Sequence, residues 1–317
     1  MVFGGTLGND MQILVMGAGA LGGYFGARLA ADGHGVTFVA RGAHLAAMRA
    51  QGLRIESRCG DLHIPTVHAT DDPTEAPTPD IVLFMVKNYD LEAAARQMMP
   101  VLGPGTLVIT CQNGISAPER LAAVIGPDRV VPGVVYMPAD IREPGVIRHP
   151  VDFHRLVVGA RSGPGASQLS DFAKAVMAAG PVCEISSDIR ATLWEKFIML
   201  SALSALTALT RLDIGPIREV PMTRQLLLDA VDEAEAVARA DCPSLPEGVG
   251  GRVKDFMLNR LEPNLHASMQ DDLLRGRRIE VNFLSGDIVR LGRRHGVATP
   301  VHGFVTAALQ PFADGRP

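Results

Sequence analysis

Residues 13–22 read ILVMGAGALG, four apolar residues that lead directly into a glycine-rich turn. A helical pattern follows from Gly23 to Ala31, and a second apolar run extends from Val36 to Val39. A G-x-G-x-x-G turn between a strand and a helix is typical of dinucleotide-binding folds, because glycine permits the tight turn, the close approach of a pyrophosphate and close packing of the helix. We therefore predict a dinucleotide site here; the alternative is an ordinary tight turn.

The predicted cofactor contacts lie on this turn. The helix that follows it has unpaired N–H groups and the positive end of its dipole at its first turn, and both attract phosphate. We expect the pyrophosphate to be held by Gly17, Ala18, Gly19, Ala20, Leu21 and Gly22.

The end of the second strand indicates which dinucleotide binds. NAD-binding versions of the motif usually carry Asp or Glu there, whereas a nearby Arg accommodates the 2′-phosphate of NADP. This strand is followed by Arg41, and no acidic residue occurs between Val36 and His44. We predict NADPH/NADP as the cofactor, with Arg41 on its 2′-phosphate; the alternative is that Arg41 is a solvated loop charge.

Composition limits the remaining possibilities. A length of 317 residues suggests two domains, and 47% hydrophobic residues suffice for a sizeable core. A net charge of −4 gives no general attraction to nucleic acid or to a membrane. The four cysteines lack metal-ligand spacing, so we predict no metal site and expect a cytoplasmic protein.

Two segments bear on targeting. Residues 1–10 are glycine-rich without the pattern of a signal peptide, and we predict that they form a disordered extension. The most apolar helical stretch, Phe197–Thr210, is expected to be too short and too polar to span a bilayer.

The hydrophobic pattern changes near residue 187. Before it, apolar runs alternate with helical segments, which predicts an α/β fold with a doubly wound, mostly parallel sheet over residues 11–186. The predicted strands beyond the first two are 53–56 and 62–66 (a short hairpin region), 80–86, 106–110, 130–135, 155–158 (antiparallel) and 182–185. After it, helical spacing dominates, at 189–210, 226–240, 252–259, 266–274 and 279–295. The predicted architecture is an N-terminal Rossmann-type NADP-binding domain followed by an all-helical substrate and catalytic domain over 187–317.

Polar residues follow the predicted strands. Ligands of open α/β sheets bind outside the carboxyl ends of the strands, where this chain carries Lys87 and Asn113. Lys87 is interpreted as a cofactor contact or as an ordinary strand-end charge. The dipeptide Asn113-Gly114 either marks a turn, or its Asn side chain provides an amide that binds the nicotinamide ribose or a substrate oxygen.

One charge stands out in the helical domain. Lys196 lies within LWEKFIML, and Leu200 and Ser204 share its face of the helix. The side chain either reaches solvent from a buried helix or is a partly desolvated ammonium, which would suit a general acid.

These motifs occur in a recognisable order. The chain resembles the ketopantoate reductase family over nearly all of residues 11–310, through Gly17-x-Gly19-x-x-Gly22, Arg41, Lys87, Asn113-Gly114, Leu193-Trp194-x-Lys196, Ser268-Met269-x-x-Asp272 and Gly276-Arg277-x-x-Glu280. The resemblance implies that NADPH reduces a small 2-oxo acid, ketopantoate, to pantoate on the way to pantothenate.

The resemblance also implies roles for individual residues. Lys196 is the general acid, and Glu280 and Ser268 line the substrate pocket. Asn113 lies near the nicotinamide and the substrate, while Arg41 and Lys87 lie on the adenosine-phosphate side. The alternatives are a helix-start carboxylate for Glu280 and a surface helix hydroxyl for Ser268.

The substrate half departs from the family pattern. Family members commonly carry Asn where this chain has Leu200, Ser204 and Ile214, and Asp and Asn where it has Asn282 and Ser285. Loss of hydrogen-bonding partners relaxes or redirects recognition, so a more apolar 2-oxo acid is an alternative substrate. A related opine- or hydroxy-acid-forming dehydrogenase, or a non-catalytic NADP(H)-binding protein, also stays open. Apolar helices allow a homodimer, although core packing explains them equally well.

Overall fold

The computed structural model describes residues 10–163 and 165–316. The predicted disordered extension lies outside the described residues except for Asp10. The chain divides into two compact units. The sheet unit comprises residues up to Gln112 together with Pro118–Ser187, and the helical unit comprises Asn113–Ala117 together with the residues from Asp188 onward.

The sheet unit alternates strands and helices. Its strands are β1 (Gln12–Met16), β2 (Gly35–Val39), β3 (Leu53–Ser57), β4 (Leu62–Ile64), β5 (His68–Thr70), β6 (Ile81–Phe84), β7 (Leu107–Thr110), β8 (Val130–Tyr136), β9 (Asp140–Glu143), β10 (Val146–His149), β11 (Arg155–Gly159) and β12 (Val182–Ser186). Its helices are α1 (Ala20–Ala31), α2 (Gly42–Gln51), α3 (Leu91–Met98), α4 (Ala117–Ile125) and α5 (Ala166–Ala178), with 3₁₀ turns at Pro73–Glu75, Asn88–Asp90, Met99–Val101 and Pro127–Arg129.

Eight of these strands form one sheet in the order β12-β11-β8-β7-β6-β1-β2-β5. All neighbouring pairs are parallel except β8 and β11, which are antiparallel as predicted. Every residue of β6 and β7 is buried, as expected for central parallel strands covered on both faces. The predicted Rossmann-type doubly wound sheet is confirmed.

A second sheet has the order β4-β3-β10-β9. The predicted hairpin is present, because β3 and β4 pair antiparallel. The sequence did not predict that β3 also pairs in parallel with β10, about 90 residues later, because local patterns carry no information on so distant a partner.

The helical unit consists of helices around α6. Its helices are α6 (Ile189–Thr210), α7 (Ile214–Glu219), α8 (Pro221–Asp241), α9 (Val249–Asn259), α10 (Ser268–Leu274), α11 (Ser285–His295) and α12 (Pro300–Leu309), with 3₁₀ turns at Val281–Phe283 and Gln310–Phe312. The Asp188 side chain caps α6 by accepting the Ala191 N–H at 3.0 Å. Helix α6 contacts the other six helices. Within the described residues this unit contains no strand, so the all-helical prediction is confirmed.

The predicted single helix over 279–295 is wrong. Its first part is a 3₁₀ turn at Val281–Phe283, and α11 begins only at Ser285. The N–H of Ile279 donates to the carbonyl oxygen of Ala313 at 3.1 Å, and Gly276 has a φ of +65°. A tertiary hydrogen bond therefore holds the backbone before Glu280 in a non-helical path that helical periodicity does not reveal.

Helix α6 is longer than its most apolar part. The sequence analysis considered only Phe197–Thr210, whereas the whole helix has 22 residues and a mean hydropathy of 1.2 over its best window, which is long and apolar enough to span a bilayer by length and composition. Two thirds of that window (67%) are buried inside the protein, as in the core helix of a globular fold.

Candidate active site

The carboxyl ends of β1, β2, β6 and β7 are in register. Met16 lies opposite both Val39 and Phe84, and Phe84 lies opposite Thr110. Because these strands are parallel, the residues that follow them emerge at the same edge of the sheet. Three predicted cofactor contacts, Gly17, Arg41 and Lys87, are brought to this edge.

Two glycines of the turn are required by packing. Gly17 has a φ of +98°, and a Cβ there would lie 2.8 Å from the Val86 nitrogen. A Cβ on Gly22 would overlap the Gly17 carbonyl oxygen and lie 2.9 Å from Val15 Cγ1. These residues serve the tight turn and the close contact of α1 with β1.

Gly19 is different, since a Cβ there would meet no atom within 4 Å. Gly19 is also the N-cap of α1, and no side chain caps the helix. The first-turn N–H groups of Ala20, Leu21 and Gly22 have no partner one turn earlier in the helix, and the helix dipole favours an anion at this end. This geometry fits a pyrophosphate held against the turn, which Ala18 anchors by donating its N–H to Val39 at 2.8 Å.

The two basic residues at this edge differ in exposure. Arg41 is the exposed N-cap of α2, and its Nη2 donates to Gln97 Oε1 at 3.2 Å. Lys87 is half-buried and directly precedes the 3₁₀ turn Asn88–Asp90.

In the helical unit, Lys196 and Asn113 are brought together. Lys196 is half-buried on α6, and its Nζ donates to Asn113 Oδ1 at 3.0 Å. Asn113 belongs to the five-residue segment Asn113–Ala117, which packs with the helices of this unit. The amide predicted at the end of β7 therefore contacts the cation predicted on α6, although 83 residues separate them in sequence.

Gly114 brings a third predicted segment to this pair. It has a φ of +106°, and a Cβ there would lie 2.8 Å from the Phe283 carbonyl oxygen. Phe283 closes the turn that begins at Glu280, whose carbonyl oxygen accepts the N–H of Phe283 at 3.0 Å. Glu280 is only 5% exposed. The Asn113-Gly114 turn thus adjoins both Lys196 and the Glu280 segment.

The face of α6 beyond Lys196 is apolar where it is accessible. Leu200 is half-buried, and so is Met199, which the sequence analysis did not single out. The sequence could have indicated Met199, because it follows Lys196 by three residues, and residues three or four apart are neighbours on a helix. Ser204 is fully buried, and its Oγ has no hydrogen-bond partner in the part of the chain that the structure describes.

Ser268 lies at the start of α10 and is exposed. The N–H of the preceding Ala267 donates to Thr207 Oγ1 at 3.4 Å, so α10 begins beside the Ser204–Thr207 part of α6. No hydrogen bond joins Ser268 to Lys196 in the described residues.

Besides Ser204, two further departures from the family pattern are fully buried. Ile214 is fully buried at the first residue of α7. Ser285 is also fully buried, and its hydroxyl lies 3.2 Å from His302 Nδ1. His302 Nε2 lies 3.0 Å from the Ala230 carbonyl oxygen, which assigns its proton to Nε2 and makes Nδ1 the acceptor for Ser285. Ser285 therefore contacts His302.

Trp194, two residues before Lys196, has a structural role in the Leu193-Trp194-x-Lys196 motif. The indole Nε1–H of Trp194 donates to Asp241 Oδ2 at 2.8 Å, and Arg190 Nε donates to the same oxygen at 3.1 Å. His295 Nε2 lies 3.2 Å from Asp241 Oδ1. Burial alone would raise the pKa of Asp241, but the Trp194 hydrogen bond and the Arg190 charge hold it below its usual value. This buried carboxylate fixes the first turns of α6.

Among the described residues no group of three or more His, Cys, Asp and Glu side chains could hold a metal ion. The four cysteines all lie among the described residues, and none of them forms a disulfide.

Two sequence families match the two parts of the chain. The family described as "Ketopantoate reductase PanE/ApbA" matches residues 13–163, and "Ketopantoate reductase PanE/ApbA C terminal" matches residues 188–313. The chain belongs to the ketopantoate reductase family.

Known proteins agree with this family membership. A 2-dehydropantoate 2-reductase from Mesorhizobium japonicum is 33% identical, with 96% of this chain and 99% of the relative covered. The crystal structure of a PanE/ApbA family ketopantoate reductase from Ralstonia eutropha has a TM-score of 0.87 and 34% identity, covering 96% of this chain and 98% of that one. A D-mandelate dehydrogenase solved with NADH and anilino(oxo)acetate shares the fold, with a TM-score of 0.85 at 19% identity and coverage of 96% and 98%.

Family membership over nearly the whole chain identifies an oxidoreductase that acts on CH–OH groups.

Proposed function

We propose that this protein reduces a 2-oxo acid to a 2-hydroxy acid with NADPH, nominally 2-dehydropantoate (ketopantoate) to pantoate in pantothenate biosynthesis. The observation that carries the proposal is the Lys196 ammonium held 3.0 Å from Asn113 on a half-buried face of α6. The name of the Mesorhizobium relative, a 2-dehydropantoate 2-reductase, supports the same reaction.

The proposed cofactor site lies at the edge of the sheet unit. The turn from Gly17 to Gly22 binds the pyrophosphate, and the open space above Gly19 supports this role. Arg41 binds the 2′-phosphate, and Lys87 contacts the adenosine-phosphate side. A nicotinamide cofactor is also consistent with the NADH in the D-mandelate dehydrogenase of the same fold. NADPH supplies a hydride when bound.

The proposed role of Lys196 follows from the charge that the reaction creates. Hydride addition to a ketone produces an alkoxide, and a cation beside that oxygen stabilises the charge and donates a proton. The Asn113 amide oxygen orients the ammonium by accepting one of its N–H groups, and the buried Glu280 lines the proposed substrate pocket. After turnover Lys196 takes a proton from solvent.

The substrate contacts favour a second candidate within the same reaction. Ser204 and Ser268 are the polar groups proposed to bind the substrate, whereas the accessible side chains that follow Lys196 by three and four residues on α6 are Met199 and Leu200. An apolar surface recognises hydrocarbon and provides no partner for a hydroxyl. A 2-oxo acid with a more apolar side chain than ketopantoate is therefore the alternative substrate.

A homodimer is the assembly that we propose. Light scattering tests it by comparing the mass in solution with the chain mass of 33.7 kDa.

Replacing Lys196 tests the mechanism. We expect Lys196→Ala to reduce kcat by about 10²–10⁴-fold, the usual contribution of a general acid, with an unchanged calorimetric Kd for NADPH. Lys254→Ala in the same unit, which removes an ion pair with Asp232, is the control and should leave kcat unchanged. Unchanged turnover in Lys196→Ala would remove Lys196 from the mechanism, and NADPH binding without turnover of any 2-oxo acid would favour a non-catalytic protein.

A substrate panel separates the two candidate substrates. We expect a higher kcat/KM for branched aliphatic or aromatic 2-oxo acids than for ketopantoate if the Met199–Leu200 surface sets specificity. The control is Leu200→Asn, which restores an amide and should shift preference towards ketopantoate. A clear preference of the unmodified enzyme for ketopantoate would reject the apolar alternative.

A further inference from the structure

Arg120 makes an unusually complete set of hydrogen bonds in the sheet unit. It lies on α4 with a side chain that is 20% exposed. Its Nε and Nη2 donate to the two carboxylate oxygens of Glu92, both at 2.8 Å. Its Nη2 also donates to the Asn88 carbonyl oxygen at 2.7 Å, and its Nη1 donates to Asn88 Oδ1 at 3.2 Å.

The two partners lie on either side of one loop. Asn88 directly follows Lys87 and is 1% exposed, while Glu92 lies in the first turn of α3. The hydrogen bond from Arg120, with its charge, lowers the pKa of Glu92, so the pair stays ionised at neutral pH. Arg120 therefore binds both the backbone and the side chain of the residue after Lys87, and joins them to α3.

We propose that Arg120 is a positioning residue for the cofactor, because it fixes the loop that directs Lys87 towards the adenosine phosphates. The inference rests on the proposed function, in which Lys87 contacts NADPH. Lys87 lies three residues after the end of β6 at Phe84, and the 3₁₀ turn Asn88–Asp90 connects it directly to α3. Without Arg120 the loop would lose the contacts that restrict its conformations. NADPH binding would then also have to order the loop, which weakens the affinity.

The proposal requires a guanidinium. The planar fork of Arg donates in parallel to both Glu92 oxygens while its remaining N–H groups reach Asn88. A Lys ammonium is a single point of charge and cannot satisfy both partners in this geometry. Arg120→Lys should therefore behave like Arg120→Ala rather than restore binding.

A double-mutant cycle on the calorimetric Kd for NADPH tests the proposal. We expect Lys87→Ala and Arg120→Ala each to weaken NADPH binding about tenfold, and the double variant to be no more than about twofold weaker than Lys87→Ala alone. At saturating NADPH, the kcat of Arg120→Ala should stay within about twofold of that of the unmodified enzyme, since Arg120 takes no part in the proposed proton transfer. Glu92→Gln keeps the shape of the side chain and removes its charge, and it should weaken NADPH binding about threefold. This variant tests the same contact if Arg120→Ala does not fold.

Arg148→Ala is the matched control. Arg148 makes a bidentate pair with Asp140, at 2.9 and 3.0 Å, in the second sheet of the same unit, and its loss should leave the Kd unchanged. Independent, multiplicative effects of Lys87→Ala and Arg120→Ala, or an unchanged Kd in Arg120→Ala and Glu92→Gln, would overturn the positioning role alone. An unchanged Kd in Lys87→Ala would overturn it together with the proposed cofactor contact of Lys87.

Discussion

Two glycines of the same motif have different physical reasons to be glycine. A methyl group on Gly22 would overlap the backbone of Gly17, whereas a methyl group on Gly19 would enter open space above the turn. Packing within the fold requires glycine at position 22, whereas only a bound ligand could require it at position 19. The sequence motif does not distinguish the two positions, whereas the structure does.

This difference predicts opposite outcomes for two matched substitutions. Gly19→Ala should change the free energy of unfolding by no more than about 1 kcal/mol, since it alters only a helix N-cap. It should weaken NADPH binding at least about tenfold, because the methyl group occupies the place proposed for the pyrophosphate. Gly22→Ala should destabilise the fold by about 2–3 kcal/mol or more through overpacking. Urea unfolding and calorimetric titration measure both quantities, and normal NADPH binding by Gly19→Ala would contradict the pyrophosphate assignment.

Ser204 provides a second residue-level prediction. Its buried hydroxyl lacks a hydrogen-bond partner in the described chain, and an unsatisfied buried hydroxyl costs about 1–3 kcal/mol. Ser204→Ala should therefore leave the free energy of unfolding unchanged or raise it by up to about 1 kcal/mol. If the substrate is the partner of this hydroxyl, the KM for the 2-oxo acid should rise about two- to tenfold.

Ser201 is the control for this prediction because it is equally buried on α6, but its Oγ bonds to the Ile198 carbonyl oxygen at 3.2 Å. Ser201→Ala should lower stability slightly and leave the KM unchanged. A Ser204→Ala enzyme with unaltered KM would remove Ser204 from the substrate site.

At the scale of secondary-structure elements, α6 connects the proposed general acid to the rest of its unit. Its first turns are held by Asp241, which accepts hydrogen bonds from Arg190 and Trp194 of α6. Lys196 lies two residues beyond Trp194 and must meet Asn113, a residue from a separate segment of the chain. A small rotation of α6 would lengthen that 3.0 Å contact.

Asp241→Asn should therefore impair catalysis as well as stability. The amide can keep its oxygen towards Arg190 and Trp194, but it removes the negative charge that pairs with Arg190, and a hydrogen bond to a charged group contributes about 1.5–3 kcal/mol. We expect kcat to fall about five- to tenfold with an unchanged Kd for NADPH. Trp194 is the sole tryptophan, so the fluorescence emission reports its surroundings and should shift.

The control is Asp232→Asn, which removes a surface ion pair with Lys254 on neighbouring helices. It should leave both kcat and the emission unchanged. Loss of stability in Asp241→Asn without any change in kcat would limit Asp241 to a structural role.

The same scale explains what the sequence could and could not predict. The strand, turn and helix around Gly17 and the full span of α6 follow from local patterns, and both predictions are confirmed. The pairing of β3 with β10 and the break before α11 depend on partners far along the chain, such as the Ala313 carbonyl that binds Ile279. The contact of Lys196 with Asn113 has the same origin, because periodicity places each residue on its element but not the elements together.

At the scale of the whole molecule, buried histidines make stability depend on pH. His302 is fully buried between Ser285 on α11 and the Ala230 carbonyl oxygen on α8, and burial lowers its pKa from 6.5 to about 4. Glu233 of α8 also faces it and accepts the backbone N–H of His302 at 3.0 Å. Burial raises the pKa of Glu233, so its titration acts in the opposite direction. His44, His149 and His154 have pKa values lowered mainly by burial and act in the same direction as His302.

The final prediction concerns acid stability. Between a pKa of about 4 in the folded state and 6.5 in the unfolded state, only the unfolded chain binds the His302 proton. Its contribution to stability is therefore complete above about pH 6.5 and is lost as the pH falls towards 4, by about 2 kcal/mol at pH 5. Urea unfolding at pH 7.5 and pH 5 should show that His302→Gln, which cannot be protonated, loses about 2 kcal/mol less than the unmodified protein over this interval. The same substitution at the exposed His63 controls for the loss of one imidazole elsewhere. Equal losses in the unmodified protein and in His302→Gln would show that His302 does not set the acid limit of this fold.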